Sequence, residues 1–204
     1  MSSKLIRESI EATQATIKEV LADASLLSAV EQAGETCLTA LRAKKKILFA
    51  GNGGSAADSQ HMAAELVSRF NYDRPGLPSV ALTTDTSALT AIGNDYGYER
   101  LFARQVEALG QQGDVLVVLS TSGNSPNILA AIEAAKKIGI KTIGFTGKTG
   151  GKMASLCDIA LKIPSSHTPR IQECHIMLGH ILCQIIEDTL FGKQYGTAFK
   201  NKTA

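Results

Sequence analysis

The order of residues in the stretch KILFAGNGGSAADSQHMAAEL, residues 46–66, predicts the fold class of this chain. It begins with the apolar run KILFA, passes through a turn rich in glycine, and continues with residues that favour a helix. A strand, a glycine-rich turn and a helix in this order form the first half of a β-α-β unit. The stretch therefore predicts a parallel sheet covered by helices.

Four further apolar runs follow, separated by amphipathic stretches long enough to form helices. They are SVAL (79–82), DVLVVLS (114–120), KTIGFT (141–146) and IALKI (159–163). Parallel strands that are buried on both faces have this continuous apolar character. The sequence thus predicts an α/β fold with a doubly wound, parallel five-stranded sheet.

Helical patterns lie at both ends of the chain. Residues 2–44 carry apolar residues at helical spacing, which predicts two N-terminal helices. A long C-terminal helix is predicted over about 169–191, and its wide apolar stripe requires another helix or subunit beside it. The predicted organisation is a helical segment at 1–45, one compact domain at 46–195 and a polar, frayed tail at 196–204.

Composition and charge narrow the classes of function. The net charge is +2 and the basic residues are scattered, so direct nucleic-acid binding is not expected. The N-terminus has no continuous hydrophobic segment, which argues against a signal peptide or a membrane anchor. Four cysteines without a CxxC pair suggest reduced packing residues. The expected localisation is cytoplasmic.

The loop after the third predicted strand, STSGNSPN at 120–127, is rich in hydroxyl groups. Small hydroxyls and the free N–H groups of a helix start can together surround a phosphate. A simpler interpretation is that Ser125 only caps a helix whose first residue is Pro126. A single helix cap requires only one serine, so a set of four hydroxyl-bearing residues favours a phosphate-binding loop. That set is Ser120, Thr121, Ser122 and Ser125.

Two nucleotide-binding patterns are present only in part. Residues 51–56 match the loose dinucleotide pattern GxGxxA, but the nearest acidic residue that could contact a ribose, Asp85, lies too far along the chain. The segment TGKT (146–149) lacks the first glycine of a P-loop, since Thr142 occupies that position. Neither a nicotinamide cofactor nor a nucleoside triphosphate is predicted.

The sequence also suggests a metal-binding site. His61 and Glu65 are four residues apart and share one helix face, although such a pair is often only a surface interaction. The final helix adds Gln172, His175 and His180. Imidazole, carboxylate and amide ligands suit zinc or a similar ion. Gln172 and His180 are separated by about 12 Å of helix rise, so an irregular helix start or a second subunit is needed for both to reach one ion.

Four motifs occur together: GNGGSAADSQHMAAEL, GND (93–95), STSGNS and RIQE followed by two histidines. In this order they resemble the sugar isomerase (SIS) domain family, over nearly the whole chain. The resemblance implies a flavodoxin-like SIS fold and a homotetramer with active sites near subunit interfaces. It also implies isomerisation of sedoheptulose 7-phosphate to D-glycero-D-manno-heptose 7-phosphate through an enediolate, for the heptose of the lipopolysaccharide core.

The resemblance also assigns roles to individual residues. Glu65 and His180 would be the catalytic base and acid, although a carboxylate that binds zinc is a weaker base. One Zn²⁺ per subunit would be held by His61, Glu65, Gln172 and His180. The substrate-binding residues would be Asn52, Gly53, Gly54, Glu65, Asn94, Asp95, Ser120, Thr121, Ser122, Ser125 and Gln172.

The alternative to an isomerase is a non-enzymatic member of the same family. Residues 89–110 and 186–192 also resemble the tetrameric SIS-domain protein that binds the DnaA replication initiator. That binding module lacks the catalytic glutamate and the second histidine, whereas Glu65 and His180 are present here. An enzyme is therefore favoured, with the length of its sugar and the subunit that supplies each ligand left open.

Overall fold

A computed structural model describes the backbone of residues 2–203 and the side chains of residues 3–195. Helices and strands alternate after an all-helical N-terminus. In chain order the elements are α1 (Ser2–Ala22), α2 (Ala24–Arg42), β1 (Ile47–Gly51), α3 (Gly54–Val67), β2 (Ser79–Ala81), α4 (Thr86–Tyr96), a 3₁₀ helix (Tyr98–Arg100), α5 (Leu101–Leu109), β3 (Val115–Ser120), α6 (Pro126–Ile138), β4 (Lys141–Thr146), α7 (Met153–Leu156), β5 (Ile159–Lys162) and α8 (Thr168–Thr203).

The five strands form one parallel sheet in the order β2-β1-β3-β4-β5. The central pair, β1 and β3, is in register from Ile47 opposite Val115 to Gly51 opposite Leu119. The predicted α/β fold, with its two leading helices and long final helix, is confirmed. From β1 the chain runs to the edge strand β2 and then crosses back to β3, which lies on the other side of β1. Ligands of such sheets bind beyond the carboxyl ends of the strands at this switch point.

Helices cover both faces of the sheet because successive strand residues point to opposite sides. Phe49 and Val117 belong to a core shared with α2, α3 and α8. Leu48 and Leu116 belong to a second core shared with α5 and α6. The two layers fix the starts of α3 and α6 at the same edge of the sheet, where β1 and β3 end.

The final helix is longer than the sequence pattern indicated. It continues to Thr203 and does not end near residue 191, and residues 192–203 contain no proline that would interrupt a helix. The predicted tail at 196–204 is thus helical as far as Thr203, and its side chains lie outside the described residues. Within the described part of the chain, no helix combines the length and apolar character needed to cross a membrane.

Candidate active site

The first loop of the site connects β1 to α3. A Cβ atom on Gly51 would lie 2.4 Å from the carbonyl oxygen of Ser55, so only glycine allows this tight turn. The turn is closed by the Ser55 amide, which donates to the Asn52 carbonyl at 3.0 Å. As a result the Asn52 side chain and the first amides of α3 face the carboxyl edge of the sheet.

The second loop connects β3 to α6 and contains the predicted phosphate-binding hydroxyls. Ser125 is the N-cap of α6, yet its side chain makes no capping hydrogen bond. Its Oγ instead lies 3.0 Å from the Oγ of Ser120. The outer residues Thr121 and Ser122 line a cavity of about 320 Å³ together with Lys148. Plain N-capping by Ser125 therefore does not account for this loop.

A pair of amides joins the two loops. Asn52 Nδ2 donates to Asn127 Oδ1, and Asn127 Nδ2 donates to Asn52 Oδ1, both at 2.9 Å. Asn127 is buried at the start of α6. Because each amide donates one hydrogen bond to the other, the pair fixes the distance between the glycine turn and the phosphate loop.

Three side chains from α3 and α8 converge on one point. His61 Nε2 lies 3.1 Å from Glu65 Oε1 and 2.9 Å from His180 Nε2. One ligand atom from each of these residues lies within 4.8 Å of the other two. Two imidazole nitrogens and a carboxylate oxygen at such distances match the donor set and spacing of a zinc site. The predicted pairing of His61 with Glu65 on one helix face is present.

Close packing of α3 against α8 makes this convergence possible. A Cβ atom on Gly179 would lie 2.5 Å from the Met62 sulfur, so glycine at this position lets the helices approach. The neighbouring residues on the two helices are His61 and His180. The ring of Phe70 packs against His180, with centroids 5.7 Å apart.

A buried ion pair holds the far end of α3. Arg74 Nε donates to Glu187 Oε1 at 2.9 Å, and both side chains are fully buried. Arg74 also donates to the carbonyls of Glu65 and Leu66, which have no partner within the helix. Glu187 in turn accepts from the backbone amides of 70–72. The pair thus fixes the backbone that carries Glu65.

Asp58 lies near this cluster, and no sequence motif indicated it. It precedes His61 by three residues, and its Oδ2 is buried with no hydrogen-bond partner among the described residues. Burial raises the pKa of the Asp58 carboxyl, against the lowering effect of His61 and His180. Its spacing of three and seven residues from His61 and Glu65 is helical and could have revealed it.

Three predicted residues lie away from this cluster in the single chain. The amide of Gln172 reaches the first turn of α3, where a Cβ on Gly54 would be 2.7 Å from its Nε2. That point is about 10 Å along α3 from His61. Asn94 and Asp95 are exposed and bonded to each other at 2.8 Å. Asp95 lines a different groove, beside Arg104.

The remaining histidines have structural positions. His167 is exposed, whereas His175 is fully buried, with Nε2 3.3 Å from the Thr146 carbonyl oxygen and its ring edge-on to Phe145. Burial lowers the pKa of His175 to about 4. His175 therefore remains neutral at pH 7 and packs α8 against the end of β4.

This burial predicts a pH-dependent loss of stability. The folded-state pKa of His175, about 4, lies below its unfolded value of about 6.5, so protonation favours the unfolded chain. We expect the free energy of unfolding of the wild type to fall by about 2 kcal/mol more than that of His175→Gln between pH 7 and 4.5. Urea unfolding at both pH values measures the difference, and parallel losses in the two proteins would contradict it.

Comparison with known proteins identifies the family of this chain. Residues 9–147 match the model of the SIS domain family. Phosphoheptose isomerase of Burkholderia pseudomallei (strain 1710b) is 58% identical over 189 residues, covering 93% of this chain and 96% of that protein. The phosphoheptose isomerase of Aneurinibacillus thermoaerophilus is 55% identical over 190 residues, covering 93% and 96%.

A solved structure of a phosphoheptose isomerase has the same fold as this chain. The structure of phosphoheptose isomerase from Neisseria gonorrhoeae superimposes with a TM-score of 0.87 at 44% identity, covering 92% of this chain and all of that one. The chain belongs to the SIS domain family. At these identities to named isomerases, it is an isomerase enzyme.

Proposed function

We propose that this enzyme converts sedoheptulose 7-phosphate to D-glycero-D-manno-heptose 7-phosphate, for the heptose of the lipopolysaccharide core. The names of its relatives support a seven-carbon sugar phosphate as substrate. The observation that carries the proposal is the convergence of Glu65, His61 and His180 within 4.8 Å. A carboxylate and two imidazoles provide the base and the acid that aldose–ketose isomerisation requires.

The phosphate is assigned to the loop after β3. Ser120, Thr121, Ser122 and Ser125 offer hydroxyls there, and the start of α6 contributes its positive dipole end. Asn52, Gly53 and Gly54 are proposed to hold the sugar, with Glu65 and Gln172 facing it. Asn94 and Asp95 are exposed in the single chain, so we assign their contacts with substrate to the assembled oligomer.

Isomerisation moves one proton between neighbouring carbons and needs no external oxidant. Glu65 removes the hydrogen from the carbon next to the carbonyl, which leaves an enediolate. His180 moves a proton between the two neighbouring oxygens, and Glu65 returns its proton to the former carbonyl carbon. The result is an aldose with the same atoms as the ketose. The 3.1 Å contact of Glu65 with His61 holds the carboxylate in place for this role.

One zinc ion per chain is proposed at His61, Glu65 and His180, whose donor atoms fit it. Bound zinc would supply Lewis-acid polarisation of the substrate oxygens. Since Gln172 lies beside Gly54, we assign the fourth ligand position to Gln172 of another copy of the chain. Glu65 must then serve as ligand and as base at different stages of turnover.

We further propose that the enzyme works as a cytoplasmic homotetramer. Helix α1 leaves a row of large apolar side chains exposed in the single chain, which requires a partner surface. These side chains are Leu5, Ile6, Ile10, Ile17 and Leu21. A neighbour placed against this row would also bring a second subunit toward α8, because Arg170 at the start of α8 donates to Thr13 of α1 at 2.6 Å.

The proposal predicts zinc-dependent turnover. Protein stripped by a chelator should bind one zinc per chain and recover conversion of sedoheptulose 7-phosphate, followed by NMR. His61→Ala should weaken zinc binding by more than the ~10–100-fold that loss of an outer-shell partner alone causes. His167→Ala, which changes an exposed histidine outside the cluster, is the matched control. Absence of conversion after zinc is restored would refute the proposed reaction.

A further inference from the structure

The hydroxyl of Tyr98 contacts a proposed substrate residue from outside the loops described above. Tyr98 begins the 3₁₀ helix between α4 and α5. Its hydroxyl donates to Asn52 Oδ1 at 2.8 Å, while the residue is 63% exposed. A tyrosine so exposed contributes little to the core, so its hydrogen bond is the feature that needs explanation.

The bonds of Asn52 leave one donor for a ligand. Its Oδ1 accepts from Tyr98 and from Asn127, and its Nδ2 donates one hydrogen to Asn127. A side-chain amide carries two donor hydrogens on nitrogen. Among residues 3–195, whose side chains are described, the second hydrogen has no acceptor. The amide is thus held on one side by two partners and keeps a free N–H.

This amide lies at a cavity of about 320 Å³. Tyr98, Gly53, Thr83 and Thr90 also line the cavity, with Phe102 among its apolar residues. A cavity lined by hydroxyl and amide groups together with apolar side chains is suited to bind a hydroxylated carbon chain. The loops place this cavity next to the Asn52–Asn127 pair, at the same edge of the sheet as the phosphate loop.

We propose that Tyr98 is a positioning residue, which orients the Asn52 amide so that its free N–H binds an oxygen of the sugar phosphate. The inference rests on the proposed function, because it takes the sugar phosphate as ligand. Without the hydroxyl, Asn127 alone holds Asn52, and the amide loses the second bond that fixes Oδ1. Substrate affinity therefore depends on a residue that itself need not touch the substrate.

The test is Tyr98→Phe, which removes only the hydroxyl. We expect KM for sedoheptulose 7-phosphate to rise about three- to tenfold, with kcat unchanged within about twofold, as for loss of one hydrogen bond in binding. The Kd of the reduced, non-isomerisable polyol phosphate should rise by the same factor in calorimetry. Tyr96→Phe is the matched control, because Tyr96 is also exposed and its ring instead contacts Arg104 at 4.6 Å.

A double-substitution cycle shows whether Tyr98 acts through Asn52. In an Asn52→Ala background, Tyr98→Phe should cause no further change in the Kd of the polyol phosphate. A persistent effect there, or a Kd for Tyr98→Phe equal to that of the wild type, would overturn the inference. Failure of the wild type to convert the ketose would instead count against the proposed reaction, and the Kd comparison would still decide the role of Tyr98.

Discussion

Glu65→Gln is expected to lower turnover of sedoheptulose 7-phosphate by about 10²- to 10⁴-fold, the usual contribution of a positioned acid or base. Glutamine keeps the shape of the side chain and removes its ability to accept a proton from carbon. The fold should persist, because the backbone at Glu65 is held by Arg74 through its carbonyl and not through the carboxylate. Steady-state kinetics at saturating zinc measures the loss.

Glu133→Gln is the matched control for this substitution. Glu133 is an exposed residue of α6, on the other face of the sheet, and its replacement should leave turnover unchanged. Zinc content must be measured in both variants, since Glu65 is also a proposed ligand. Turnover within a few-fold of the wild type in zinc-loaded Glu65→Gln would remove Glu65 from the role of base.

Glu187→Gln is expected to reduce the free energy of unfolding by about 3–5 kcal/mol, because it leaves a buried arginine charge without its counter-ion. The side chains of Glu187 and Arg74 are both fully buried. Glu187 is also the acceptor for the backbone amides of 70–72, and a glutamine offers only one oxygen in its place. Denaturant unfolding at one fixed protein concentration measures the change.

The control is an exposed ion pair of similar chemistry. Arg100 contacts Glu107 at 2.7 Å with both side chains more than a third exposed, so Glu107→Gln should cost less than about 1 kcal/mol. Glu187→Gln should also weaken zinc binding, since its loss frees the end of α3 that carries Glu65. Equal losses of stability in the two variants would contradict the buried ion pair as the anchor of this helix.

The sequence predicted each strand to within one residue at either end, because each strand is a continuous apolar run in a sheet covered on both faces. The i, i+4 spacing likewise predicted the joint position of His61 and Glu65. The strands and the His61–Glu65 pair depend on residues close together in the sequence, so periodicity and spacing are sufficient to predict them.

The contacts that complete the site are not local. Glu187 meets Arg74 across 113 residues, and Tyr98 meets Asn52 across 46. No periodicity encodes such pairs, because they depend on how α8 and the 3₁₀ helix pack against the loops. The eight-residue spacing of Gln172 and His180 did indicate that both cannot easily reach one ion within a single chain. In the single chain Gln172 indeed lies beside Gly54.

Transfer of a proton at a sugar carbon by Glu65 is tested most directly in deuterated water. The wild type with zinc, incubated to equilibrium so that the proton on Glu65 exchanges with solvent over many turnovers, should form heptose 7-phosphate with solvent deuterium on the former carbonyl carbon, as seen by NMR. Glu65→Gln should incorporate almost none. Complete retention of the original hydrogen after equilibrium is reached, or equal labelling by zinc-loaded Glu65→Gln, would contradict proton transfer by Glu65.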